Sequence, residues 1–165
     1  MDPNILSLPN LVVGPADVSR LNREIDALDN YLRAASLRQP GGESPKLPKT
    51  SRVFDAFVSE NKLNMLLETD RERARQYLEK LLKHAPVIHL SFAADPSAAF
   101  VDKIITWLRA SVHPGLLLRI GLQPTIAAGC VLRTPNHYYD FSMRRHFAAK
   151  RNLLIEQLEH LTSNG

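Results

Sequence analysis

The residues of this chain that could do chemistry are six histidines, one cysteine and the acid–base neighbours Asp140 and Arg144. A metal site needs ligands at spacings that bring them to one point, such as His-Glu-x-x-His on a helix or paired Cys-x-x-Cys. Neither spacing occurs. Pro86 separates His84 from His89, so one is expected to end a helix and the other to lie in a strand. His137 and His146 flank different elements. Cys130 stands inside an apolar run with no base suggested nearby, and it reads as a small buried hydrophobe. Asp140, just before Arg144, reads first as a helix-start cap and salt bridge. There is no Walker-type loop and no GxGxxG, and Gly41-Gly42 precedes no apolar helix start. The expectation is a chain with no catalytic residue, no cofactor and no metal.

The elements that would hold these residues can be read from periodicity. Residues 1–13 read as an extended lead-in. Gly14-Pro15-Ala16-Asp17 starts a helix. Val18, Leu21, Ile25, Leu28 and Leu32 then recur at alternating spacings of 3 and 4, which makes a heptad-like stripe. Two readings stay open for it: an amphipathic helix packed on its own domain, or a helix that docks on a partner's helix. Gln39 to Lys49 is rich in Pro and Gly and reads as a linker. Val53, Phe54, Phe57 and Val58 share a helix face. Thr69 to Glu72 has the spacing of a capping box. Ala74, Tyr77, Leu78, Leu81 and Leu82 form the next apolar face, and Pro86 stops it.

From Val87 the pattern changes. Val87 to Ala93 reads as a strand. Asp95-Pro96 is a cap and first-turn pair for a helix to about Val112 that buries Phe100, Val101, Ile104, Ile105, Leu108 and Trp107. Leu116 to Leu122 is a second strand. Gly129 to Thr134 and His137 to Phe141 read as a hairpin closed by Pro135-Asn136. Tyr138 and Tyr139 must face opposite sides, one core and one available to a partner. Ser142 is expected to cap a last helix with Phe147, Leu154, Leu158 and Leu161 on its apolar face.

The predicted class is α+β: a helical N-terminal region, then a small strand-helix-strand-hairpin-helix domain. The expected divisions are 1–38 (lead-in and docking helix), 39–50 (linker), 51–86 (helical) and 87–165 (α+β). Charge adds little. There are 21 Lys+Arg against 17 Asp+Glu, and the first fifty residues carry six of each sign. The dense basic cluster is Arg144, Arg145, His146, Lys150 and Arg151. It reads as a solvated helix face or a patch for an acidic partner before it reads as a phosphate contact. No apolar run approaches the roughly 18 to 20 residues that span a bilayer, and the start does not read as a signal peptide. The cysteine usage suits a reducing, cytoplasmic compartment.

One segment carries a resemblance. Gln123 to Phe147 reads QPTIAAGCVLRTPNHYYDFSMRRHF. It resembles the C-terminal signature of the delta subunit of F-type ATP synthases, the family of the mitochondrial oligomycin-sensitivity-conferring protein. Pro124, Thr125, Ile126, Ala128, Gly129, Val131 and Arg133 fall on the first half of that pattern. Asp140, Ser142 and Arg144 fall on the second. Gln123 replaces an Asp, Ala128 the first Gly, Pro135-Asn136 a Gly-Asp-type turn, and Phe141 a Gly. Ser59 to Glu68 (SENKLNMLLE) is similar to the late N-terminal helices of the same family. The resemblance implies a non-catalytic stator that joins the catalytic head to the peripheral-stalk helices. It also implies a place on the cytoplasmic face of the cell membrane, held there only through partners. The family's N-terminal bundle is larger than the helical part here, so the head contact is expected to be rebuilt around Val18 to Leu32.

The partner-contact candidates are Leu21, Ile25, Leu28 and Leu32 on the first helix and Arg144, Arg145, Arg151, Leu154 and Leu158 on the last. Two other readings remain. One is an E-type stalk subunit of a related rotary ATPase or a secretion-system stator, which a long coiled coil would favour. The other is a small nucleic-acid-binding module using Arg144 to Arg151.

Overall fold

The computed structural model describes residues 6–37, 48–126, 128–151 and 155, with 145 and 146 described by their backbone alone. The chain is α+β, with a helical N-terminal region and a mixed four-stranded sheet. It forms two compact units. The first comprises residues 1–87 and 98–119, and the second residues 88–97 and 120–165. This division cuts across the boundary expected at Val87. The helix after the first strand belongs with the N-terminal helices.

In the first unit, α1 runs Pro15–Ser36, α2 Arg52–Glu60, α3 Glu68–His84 and α4 Ala98–Ser111. The Asp17 carboxylate accepts from the amides of Val13 at 3.1 Å and Gly14 at 3.0 Å, which satisfies two donors at the start of α1. Gly14 is required for space: a Cβ there would lie 2.6 Å from the Leu118 carbonyl oxygen. Ser51 caps α2 by accepting from the Phe54 amide at 3.2 Å. The α2–α3 turn closes with the Leu63 amide on the Val58 carbonyl. That bond forces Lys62 into the left-handed region at φ 52°.

The heptad-like stripe of α1 faces inward. Val18, Leu21 and Ile25 are fully buried with Phe54, Phe57, Ala74, Leu78 and Leu81. Leu28 packs at the edge of this core. Phe57 and Tyr77 stack with centroids 6.3 Å apart. A buried ionic cluster sits beside the apolar core. The Asp29 carboxylate bonds the Arg71 guanidinium and, at 2.5 Å, that of Arg75. Arg71 also donates to the carbonyls of Met65 and Leu66, both at 2.9 Å, which ties down the turn before α3.

The strands form a sheet ordered β2-β1-β3-β4, most of whose residues belong to the second unit. These are β1 Val87–Phe92, β2 Leu117–Leu122, β3 Cys130–Arg133 and β4 Tyr138–Asp140. β1 pairs antiparallel with β3, Leu90 opposite Leu132, and β3 antiparallel with β4, Leu132 opposite Tyr139. The 3-10 turn Pro124–Ile126 follows β2, and α5 runs Arg144–Ala149. Ile88, Leu90, Phe92, Ile126 and Val131 are buried apolar residues of the second unit. The hairpin forms at Pro135-Asn136 as expected, with the Thr134 amide donating to the His137 carbonyl at 2.9 Å.

Several local expectations are corrected. α3 begins at Glu68 with Leu67 as its cap residue, so Thr69 lies inside the first turn and makes no capping box. Asp70 instead accepts from the Asn64 amide at 2.8 Å. α4 begins at Ala98, after the Asp95-Pro96 pair. Its buried residues are Ile105 and Leu108, while Trp107 is 64% exposed and Phe100 is exposed. The Ser142 hydroxyl does not cap α5 and is enclosed without a hydrogen-bond partner among the described residues. The linker expected at 39–50 falls mostly outside the described residues, as do Leu158 and Leu161 of the last apolar face.

Candidate protein-docking surfaces

The second unit carries a concentrated aromatic surface. β4 and the turn after it expose Tyr138, Tyr139, Phe141 and Met143, and α5 exposes Phe147. Side chains alternate along a strand, so His137, Tyr139 and Phe141 share one side. The Tyr139 and Phe141 rings stack at 6.2 Å, and His137 lies 5.9 Å from Tyr139. Tyr138 points the other way, and the Arg133 guanidinium lies 5.6 Å over its ring. Neither tyrosine is core, which corrects the expected division. β4 is an edge strand, and all three of its residues are exposed.

The backbone that presents this surface is fixed by Gly129 and Arg144. Gly129 has φ +90°, and a Cβ there would overlap the Phe141 carbonyl oxygen. The Arg144 guanidinium donates to the Thr125 carbonyl, and the Asp140 carboxylate accepts from the Ser142 amide at 2.8 Å. Among the described residues, Asp140 and Arg144 each bond a backbone group, and the expected salt bridge between the two is not formed. Both contacts pin turns around the aromatic strand.

The predicted contact residues are placed unequally. Leu21 and Ile25 are fully enclosed by this chain's own helices and present no atoms to a partner. The packed reading of α1 accounts for both. Leu28 and Leu32 are half-buried. Arg144 and Arg151 are exposed, together with Lys150. The side chain of Arg145, and Leu154 and Leu158 altogether, lie outside the described residues.

Two recesses of the first unit lie along α3 among the described residues. An open groove of about 760 Å³ is lined by Leu6, Gln76, Tyr77, Lys80 and Lys83, among others. A smaller recess of about 200 Å³ adjoins Tyr77, Leu81, His84 and His113. Burial pushes the Tyr77 hydroxyl pKa above its ordinary value, against a smaller opposing effect of Arg109, so the phenol stays protonated. Among the described residues no cluster of three or more His, Cys, Asp or Glu is arranged to hold a metal. Burial also raises the Cys130 thiol, which disfavours a thiolate. No helix among the described residues is long and apolar enough to cross a membrane.

Sequence reasoning missed the exposure of Trp107 and the role of Arg109, whose guanidinium gathers backbone carbonyls from distant parts of the first unit. Neither has a local signal. Compared with known proteins, the chain matches no family model and no curated sequence.

Proposed function

We propose that this chain is a non-catalytic stator subunit of a proton-translocating F-type ATP synthase, joining the catalytic head to the peripheral stalk. In this reading it sits on the cytoplasmic face of the cell membrane and is held there by its partners. The task requires adhesion and stiffness. It requires no bond-making chemistry.

The observation that carries the reading is the aromatic surface of the second unit. Tyr138, Tyr139, Phe141, Met143 and Phe147 are large, exposed and close in sequence. Arg144, Lys150 and Arg151 adjoin them. Aromatic residues and arginine are the types that dominate binding energy at protein interfaces. The same residues fall within the segment that resembles the delta-subunit signature. The strand-helix-strand-hairpin-helix order also agrees with the resembled C-terminal domain.

Stiffness has a source in the first unit. The Asp29–Arg71–Arg75 cluster and the enclosed α1 stripe bind three helices together. Affinity purification of the tagged chain from native membranes, with identification of the co-purifying chains, tests the reading. Recovery of ATP synthase head and stalk subunits supports it. Recovery of a vacuolar-type or secretion ATPase, or of nucleic acid in a salt-sensitive manner, overturns it.

A further inference from the structure

The charges of α3 fall into two groups. On the side turned to α1 they are used within the fold. Arg71 and Arg75 bond Asp29, and Arg75 also pairs with Asp26 at 3.1 Å and Glu72 at 2.8 Å. On the opposite side, Arg73, Tyr77, Lys80 and His84 follow one another at spacings of 4, 3 and 4. That spacing lays them in one stripe along the helix, about 16 Å long at about 1.5 Å per residue. Lys80 and Lys83 are exposed, and among the described residues neither forms an ion pair.

This stripe walls the groove of about 760 Å³, which has buried Leu6 in its lining. Three full cations, Arg73, Lys80 and Lys83, line it against one carboxylate, Glu79. The recess of about 200 Å³ shares Tyr77, Lys80 and His84 with the groove and adds the apolar walls of Leu81 and Ala85. The two are therefore contiguous. A cavity of about 150 Å³ admits benzene, so the recess accepts one large apolar side chain. Tyr77 lines both, its ring stacked on Phe57 with centroids 6.3 Å apart. Burial keeps its hydroxyl protonated, a donor for an anion.

Unpaired cations beside an apolar recess define what fits. Exposed ion pairs are individually weak, so charge alone would hold no ligand firmly. An anchor buried in the recess supplies affinity, and the lysines supply orientation and a faster encounter. A small anion has no apolar part to bury. We propose that the groove along α3 is a docking site for a short acidic segment of a partner protein. One Phe or Leu of that segment sits in the recess, and the carboxylates beside it meet Lys80 and Lys83. The site shares no residue with the aromatic surface of β4 and α5, so it is a second contact of this chain.

Fluorescence anisotropy with the full chain tests the site. The probe is a fluorescein-labelled peptide with one central Phe flanked by runs of Glu. It is expected to bind at low salt and to weaken as salt rises. Replacing its Phe by Gly, or its Glu residues by Gln, should each weaken binding about tenfold or more. Lys80→Glu with Lys83→Glu should do the same. Lys103→Glu with Arg119→Glu reverses two exposed charges elsewhere on the first unit and should leave affinity within about twofold. Lys80→Gln with Lys83→Gln is expected to weaken binding severalfold, and it carries the test should the reversal fail to fold. No binding at low salt overturns the proposal, and so does undiminished binding by the Lys80 and Lys83 variants. Equal losses in the two charge-reversed proteins would show net charge alone at work and overturn it. Tighter binding of polyuridylate RNA than of the peptide would assign the groove to phosphate and overturn it as well.

Discussion

The α-carbon of Gly129 faces the carbonyl oxygen of Phe141 so closely that no side chain fits between them. Gly129 also holds φ +90°, a region that L residues avoid. Both constraints act on the turn that launches β3 and receives the chain leaving β4. Gly129→Ala is therefore expected to destabilise the second unit by about 2 kcal/mol, the sum of a strained backbone and a displaced carbonyl. Urea denaturation followed by circular dichroism would read the loss. A change within about 0.5 kcal/mol, the scatter of ordinary surface substitutions, would contradict the close approach.

Lys62 presents the opposite opportunity. It occupies the left-handed region at φ 52° in the turn after α2. Glycine adopts that conformation without the steric penalty. Lys62→Gly is expected to raise stability by about 1 kcal/mol, the usual cost of a left-handed residue. Thermal unfolding of the two proteins side by side would show it.

Asp29 links stability to pH. Burial alone would raise its carboxyl pKa, but hydrogen bonds and positive charge from Arg75 and Arg71 outweigh that and hold it below its ordinary value of 3.8. A carboxyl whose folded pKa is depressed contributes stability above the unfolded value and loses it as pH falls through the folded value. The contribution is thus complete at neutral pH and fades only below about pH 4. Asp29→Asn leaves the Arg71 guanidinium buried beside a neutral group, and is expected to cost about 3 kcal/mol at pH 7. The gap between wild type and variant should shrink in acid. A gap that stays constant from pH 7 to pH 2 would contradict the ionic origin.

Trp107 reports its surroundings directly, as the single tryptophan of the chain. At 64% exposure, its emission should be solvent-like and readily quenched by acrylamide. Trp107→Ala should change stability by no more than about 0.5 kcal/mol, against the 3 to 5 that truncating a buried tryptophan costs. A blue-shifted, protected emission would contradict the placement.

The contrast between Trp107 and Leu21 shows what the sequence could reveal. The 3-4 spacing of Val18, Leu21 and Ile25 leaves polar residues on the other side of α1, so one inward face was legible. The strand Val87–Phe92 and the hairpin at Pro135-Asn136 were legible for similar reasons, since each is a local pattern with clear punctuation. α4 carries Phe100, Val101, Ile104, Ile105, Trp107 and Leu108 on one broad arc of nearly half its circumference. Periodicity cannot choose which of these meets the core, and tertiary packing chose Ile105 and Leu108. The same limit hid the role of Arg109, which meets carbonyls about a hundred positions away. Of the docking surface, the sequence made Tyr138 and Tyr139 visible as a pair, but that both are exposed is set by tertiary packing, which strand alternation cannot report.

The aromatic surface can be tested apart from folding. Tyr139→Ala with Phe141→Ala removes an exposed stacked pair. Folding stability should fall by no more than about 1 kcal/mol. Affinity for the partner should fall at least tenfold, because interface aromatics of this kind commonly carry about 2 kcal/mol each. Equal affinity of both proteins would remove this surface from the interface.

The central claim is a mechanical link without catalysis, and ATP-driven proton pumping tests it most directly. Native membranes stripped of the chain should hydrolyse ATP without pumping protons. Adding back the purified full chain should restore pumping, and the Tyr139/Phe141 double variant should restore it poorly. Pumping that is intact without the chain, or that the chain cannot restore, would contradict the account.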